Sequence, residues 1–135
     1  MKIKYYKKIM SLFVICIFLV SCDPPHFIDF VNKTNGNAKV KLNLNPEINN
    51  SDLGRIAIGD SIILTLKKKD TANIDFGIGT WSDKQIKEVV KSIKSIEIET
   101  DDIKTIYKTE NSIKNILQNN TEGFIFKSRI EIEIK

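Results

Sequence analysis

From Gly123 to Lys135 the chain keeps a two-residue rhythm. Phe124, Phe126, Ile130, Ile132 and Ile134 fall on one parity, and Lys127, Arg129, Glu131 and Glu133 on the other. Successive side chains of a β-strand point to opposite faces, so the pattern predicts one strand along the whole segment with its apolar set inward. The same rhythm places Ala38, Val40, Leu42 and Leu44 against Lys39, Lys41, Asn43 and Asn45. Strands with one dry face cannot stand alone. They must close that face against a second layer, which restricts the chain to a sandwich, a barrel or a helix-covered sheet.

The remaining segments fill in that frame. Phe27 to Asn32 and Asn37 to Asn45 flank Lys33-Thr34-Asn35-Gly36, and the Asn-Gly pair predicts a first hairpin. Pro46 to Asp52 reads as a polar loop, and Arg55 to Ile58 and Ser61 to Leu66 as short strands around Gly59-Asp60. Ala72 to Thr80 is a further strand, reached through the charged turn Lys67-Lys68-Lys69-Asp70.

Ser82 with Gln85 three residues later is a capping box, and Ile86, Val89, Val90 and Ile93 follow it as one apolar helical stripe. Ser95 to Thr100 and Ile103 to Lys108 form a hairpin across Asp101-Asp102, in a register that sets Glu99 opposite Lys104 and Ile96 opposite Tyr107. Thr109 caps a second helix carrying Ile113, Ile116 and Leu117. The run Ile56-Ala57-Ile58-Gly59-Asp60-Ser61-Ile62-Ile63-Leu64 resembles the apolar, Gly-Asp-Ser, apolar turn of immunoglobulin-like bacterial domains. The expected fold is mainly β (α+β): an antiparallel immunoglobulin-like β-sandwich with two short helices, in one domain over residues 27–135.

The first 21 residues follow a different logic. Lys2, Lys4, Lys7 and Lys8 precede a 12-residue stretch, Ile9 to Val20, that is apolar apart from Ser11. A membrane span needs about 20 such residues, so this one has the length of a secretory signal. Leu19-Val20-Ser21-Cys22 then matches the lipobox, and the segment resembles the leader of bacterial lipoprotein precursors. The chain as a whole resembles small lipoproteins of the Bacteroidetes, a group without an assigned function. That resemblance implies cleavage between Ser21 and Cys22, a lipid on Cys22, no further cofactor, and attachment to a bacterial membrane on the exported side. Residues 22–26, with Pro24 and Pro25, read as a short tether.

Charge and cysteine usage narrow the chemistry. Of 21 basic and 17 acidic residues, the four leader lysines account for the whole net +4, leaving a balanced body without the basic surface that nucleic acid requires. Cys16 and Cys22 both lie in or beside the leader, so the domain holds no thiol nucleophile and no internal disulfide. His26 is the sole histidine, which removes most triad and zinc mechanisms, and it reads as a solvent-facing residue at a strand start.

No catalytic residue and no metal site are expected. Glu97/Glu99 and Glu131/Glu133 read as solubilising charges on an outer sheet face, and Lys67 to Lys69 as a hairpin tip able to touch anionic headgroups near the anchor. Trp81, beside a bare strip left by Gly77 and Gly79 on one strand face, is the candidate ligand contact. The expected function is a lipid-anchored, non-enzymatic binding or interaction module of the cell envelope, with a protein or glycan partner. The alternatives are an immunity- or inhibitor-type lipoprotein and a carboxylate-dependent envelope glycan hydrolase.

Overall fold

The computed structural model describes residues 24–48, 50–123 and 126–135. The leader, Ser21, Cys22 and the inward-facing Phe124 expected above lie outside the described residues. The elements run β1 (Pro25–Asn32), β2 (Ala38–Leu44), α1 (Ser51–Ile56), β3 (Ser61–Leu66), β4 (Thr71–Ile78), α2 (Asp83–Ser92), β5 (Ile93–Thr100), β6 (Lys104–Tyr107), α3 (Glu110–Asn119), β7 (Thr121–Glu122) and β8 (Arg129–Ile134).

Two four-stranded sheets form a β-sandwich, one ordered β4-β1-β8-β7 and the other β3-β2-β5-β6. Every neighbouring pair is antiparallel except β1 and β8, which run parallel from Phe27 beside Arg129 to Asn32 beside Ile134. Ile28, Phe30, Ile74, Ile130 and Ile132 of the first sheet meet Val40, Leu42, Ile62, Leu66 and Ile96 of the second in one buried core. Each such side chain contributes about 1.5–3 kcal/mol when fully buried. The alternation of β2 and of Ile130, Ile132 and Ile134 is therefore used as expected, and the β5–β6 hairpin has the expected register, Glu99 opposite Lys104 and Ile96 opposite Tyr107.

The helices seal the sandwich. Ser82 and Gln85 close a reciprocal capping box at the start of α2, which buries Ile86, Val89 and Val90. Thr109 caps α3, which buries Ile113 and Leu117 and packs on α2, β5 and β8.

Four expectations need correction. First, β1 and β2 do not form a hairpin: they lie in different sheets, and residues 33–37 carry the chain across. Asn32 decides this. Its amide is fully buried and donates to the Gly36 and Lys67 carbonyls, both at 2.9 Å, while its Oδ1 accepts from the Thr34 N–H at 3.0 Å and the Thr34 hydroxyl at 2.7 Å. A turn wound around a buried side chain crosses between layers instead of closing a ladder.

Second, the described residues form three helices where two were expected. Arg55 to Ile58 is not a strand, because Asn50 Oδ1 accepts from the N–H groups of Asp52 and Leu53 and starts α1, whose Leu53 is fully buried. Third, the C-terminal strand begins only at Arg129. A Cβ at Gly123, where φ is 131°, would collide with the Phe126 carbonyl, so the chain loops there and Phe126 is exposed instead of inward. Fourth, the tether is shorter than residues 22–26. Pro25 pairs with Ile78, and the Pro24 carbonyl accepts from the Gly79 N–H at 3.0 Å, so both prolines belong to the fold.

These connections give the sandwich two distinct ends. The crossings at 33–37 and 67–70 share the end where β1 finishes, tied by the Asn32 N–H to the Asp70 carbonyl at 2.9 Å. The start of β1, α1, α2, the Gly59-Asp60 turn and the loop before β8 gather at the other. We call these the far and near ends; the eight residues of β1 separate them by roughly 23 Å at about 3.3 Å per residue.

Candidate functional site

The near end brings three aromatic rings together with polar groups, whereas a hollow of about 240 Å³ at the far end has Tyr107 as its one ring among the described residues. Asp75 Oδ1 accepts from the Gly77 N–H at 2.7 Å, and Gly77 and Gly79 take φ values of 85° and 151°, which L side chains rarely adopt. The strand therefore ends at Ile78 and the chain turns inward, so the flat bare strip expected from the two glycines does not form. A Cβ at Gly77 would meet open space, and one at Gly79 would lie 3.8 Å from His26 Nδ1.

Trp81 is delivered into the core. Its backbone N–H donates to the Lys127 carbonyl, and its indole Nε1–H donates to the Phe27 carbonyl at 3.3 Å. The indole stacks at a tilt on His26, with ring centroids 4.0 Å apart, and meets Phe76 edge-on at 5.0 Å. His26 thus faces inward with Ile28 and Phe30, not outward: only 4% of it is exposed, and its Nε2 has no hydrogen-bond partner among the described residues. Burial pushes the imidazole below its ordinary 6.5, opposed by the Asp52 charge, a hydrogen bond to the Phe76 backbone and the Asp75 charge.

Above the three rings is a cleft of about 150 Å³, closed on its other sides by Asn50 and Asp52 of α1 and by Gln85, Glu88 and Val89 of α2. This is about half the lower limit of ordinary small-molecule pockets, which start near 300 Å³. Its carboxylates are already matched, Asp52 with Arg55 at 3.0 Å and Glu88 with Lys84 at 4.0 Å. Among the described residues no Ser, Thr or Cys lines it, so none of their hydroxyls or thiols stands beside the imidazole. The arrangement suits reversible contact with a small polar group better than bond breaking. Two shallower hollows flank it, one between α1 and α2 and one between α1 and the end of β2.

The other charged groups stay on open surfaces. Lys104 reaches Glu97 at 3.1 Å and Glu99 at 3.9 Å, and the Lys104 and Asn43 hydrogen bonds hold the Glu97 carboxyl below the usual range. Lys135 pairs with Glu133 at 2.8 Å, and Arg129 with Glu131 at 3.6 Å. Lys67 to Lys69 form the far-end turn, away from Pro24. Among the described residues no three His, Cys, Asp or Glu side chains gather as a metal site would need, and no helix is long and apolar enough to cross a membrane.

Sequence reasoning also passed over Asp29, a carboxylate buried in the middle of β1. Burial raises its pKa, Arg129 at 3.0 Å opposes this, and the Glu131 charge adds to the rise. The signal was an acid in the centre of a strand flanked by Phe27, Ile28 and Phe30. No family model, curated protein or solved structure matches the chain.

Proposed function

We propose that the chain is a lipid-anchored protein of a bacterial cell envelope whose folded part is a non-enzymatic binding or interaction module. The observation that carries this reading is positional. The lipobox motif ends at Cys22, and two residues later Pro24 is already bonded into the sandwich through the Gly79 N–H. A lipid on Cys22 would thus be attached directly to a folded body, and two or three acyl chains hold such a body stably on a membrane.

Support for a binding role comes from the chemistry of the surface. The outer-face carboxylates each pair with Lys or Arg in the open, whereas a glycan hydrolase needs two carboxyl groups facing each other across a cleft at about 5–9.5 Å. The near-end cleft, walled by His26, Phe76 and Trp81, is where a ligand group or partner side chain would enter. An immunity- or inhibitor-type role belongs to the same class and differs in requiring one tight protein partner.

Two measurements test the proposal. Cys22→Ala should move the protein from the membrane fraction to the soluble fraction; if the variant still sediments with membranes like the parent, the lipid anchor is wrong. Crosslinking in native cells, followed by detergent extraction of the tagged chain and mass spectrometry, should recover one stoichiometric partner. A measured turnover of envelope glycan by the purified protein would replace the binding role with an enzymatic one.

A further inference from the structure

Five of the eight large apolar side chains exposed among the described residues, Ile48, Ile56, Ile58, Ile78 and Phe126, belong to near-end segments, whereas Ile63, Ile103 and Ile106 lie on β3, at the far-end bend and on β6. Ile58 and Ile78 are the most accessible of the eight, at 89% and 73%. Their placement follows from the fold. Ile78 pairs with Pro25 at the start of β1, and Phe126 sits in the loop whose Ser128 carbonyl accepts from the Phe27 N–H. Ile58 bridges to Ser61 in the turn before β3, and the Asp60 carbonyl of that turn accepts from the N–H of Leu44, the last residue of β2. The Ile48 N–H donates to the Asn45 carbonyl just beyond β2. Isoleucine and phenylalanine gathered at one end of a small domain mark a surface that something covers.

Cations accompany them. The helix α2 crosses the same end, from Trp81, bonded to Lys127 in the loop before β8 of the first sheet, to Ser92, whose carbonyl accepts from Asn45 beyond the second. It buries Ile86, Val89 and Val90; its exposed face carries Lys84, Lys87 and Lys91 beside Asp83 and Glu88, and with Lys84 paired to Glu88 at 4.0 Å, Lys87 and Lys91 are the cations turned outward. Lys127 is exposed beside Phe126. Apolar tips with lysines among them are what a surface needs to enter the boundary of an anionic bilayer.

The chain itself identifies the occupant. Two residues span at most about 7 Å, so Cys22 lies within that distance of Pro24, whereas the far end is a further 23 Å or so away along β1. We infer that the near end of the sandwich is a membrane-resting face: Ile58, Ile78 and Phe126 dip into the headgroup boundary, Lys87, Lys91 and Lys127 meet anionic headgroups, and the far end points away from the bilayer. This rests on the lipid-anchored reading proposed above. In this orientation the far-end lysines, Lys67 to Lys69, are presented to whatever approaches from the aqueous side and do not touch headgroups.

The test places a photoreactive benzophenone amino acid, one position at a time, at 58, 78 and 126 and at 35 and 68 of the full chain. Intact cells are irradiated and the intact mass of each purified product is read. Phospholipid adducts are expected at the three near-end positions and about ten-fold weaker at 35 and 68. The pair Ile78→Asp and Phe126→Asp should remove most of the adduct at position 58. Protein adducts at the three positions, or no adducts there, overturn the membrane-resting face. The same mass spectrum reports the lipid on Cys22 separately. A lipidated chain without phospholipid adducts keeps the anchor and sinks the face, whereas adducts on a chain with an unmodified Cys22 keep the face and sink the anchor.

Discussion

The two ends of the sandwich are built by opposite means. The far end has polar tips: two sheet-to-sheet turns and the Asp101-Asp102 bend carry charged residues, and one buried amide, that of Asn32, fastens the two crossings with four hydrogen bonds, beside an open hollow of about 240 Å³ lined by Ile98, Ile103, Tyr107 and Ile134. The near end is aromatic and incompletely closed. A ring cluster of His26, Phe76 and Trp81 lies under a cleft, an imidazole nitrogen has no partner among the described residues, and several isoleucines face outward. A small domain can tolerate unsatisfied groups and exposed apolar tips where another surface completes it, and the Asn32 hub shows how a crossing is completed within one chain.

The largest effect should come from the near end. Trp81→Ala removes the indole from two ring contacts and a hydrogen bond and should cost about 3–5 kcal/mol in urea unfolding. Asn32→Ala is the matching blow to the far end. It strands the Gly36 and Lys67 carbonyls and should cost about 2–3 kcal/mol, with Asn32→Asp no better because a carboxylate cannot donate. If Asn32→Ala proves neutral, the contrast between the ends as drawn here fails.

Smaller effects sharpen the comparison. Ser82→Ala opens the capping box of α2 and should lower stability by about 1 kcal/mol in the same assay. The near end should also be acid-sensitive. With the folded His26 pKa pushed below 6.5 by burial, the unfolded chain takes up that proton first. Its contribution to stability is therefore complete above 6.5 and is lost as pH falls from there towards the folded value. Denaturation midpoints measured between pH 7.5 and 5 should decline, and His26→Phe should flatten that decline; an unchanged slope would separate the acid response from this ring. Lys68→Ala, at the exposed far-end turn, should change stability by less than about 0.5 kcal/mol.

The sequence carried the parts of this fold that depend on neighbours in the chain. The β5–β6 register was readable because both strands and the two-residue turn stand side by side, and the capping boxes of α2 and α3 are local patterns. What could not be read depends on tertiary burial. Asn-Gly signals a turn but not whether the strands it joins will pair, and nothing near Asn32 says that its amide will become the hub of that end. The helix α1 is six residues with a single buried leucine, too short for a 3.6-residue period, although Asn50 followed by Leu53 and the Asp52/Arg55 pair were hints. His26 was legible by parity with Ile28 and Phe30, and the neighbouring prolines obscured it. The apolar near end was illegible for a simpler reason: its residues come from five separate segments.

The parallel pairing of β1 with β8 has a consequence for how the molecule comes into being. The strand β1 is complete by residue 32, but one of its two flanking partners arrives only with residues 129–134. A chain delivered across a membrane from its N-terminus would hold an open, apolar strand edge through nearly the whole of its passage, with β4 as its sole neighbour. Contacts so far apart in sequence form slowly, and an unpaired edge invites pairing with another chain. Truncation before Arg129 would make that waiting state permanent.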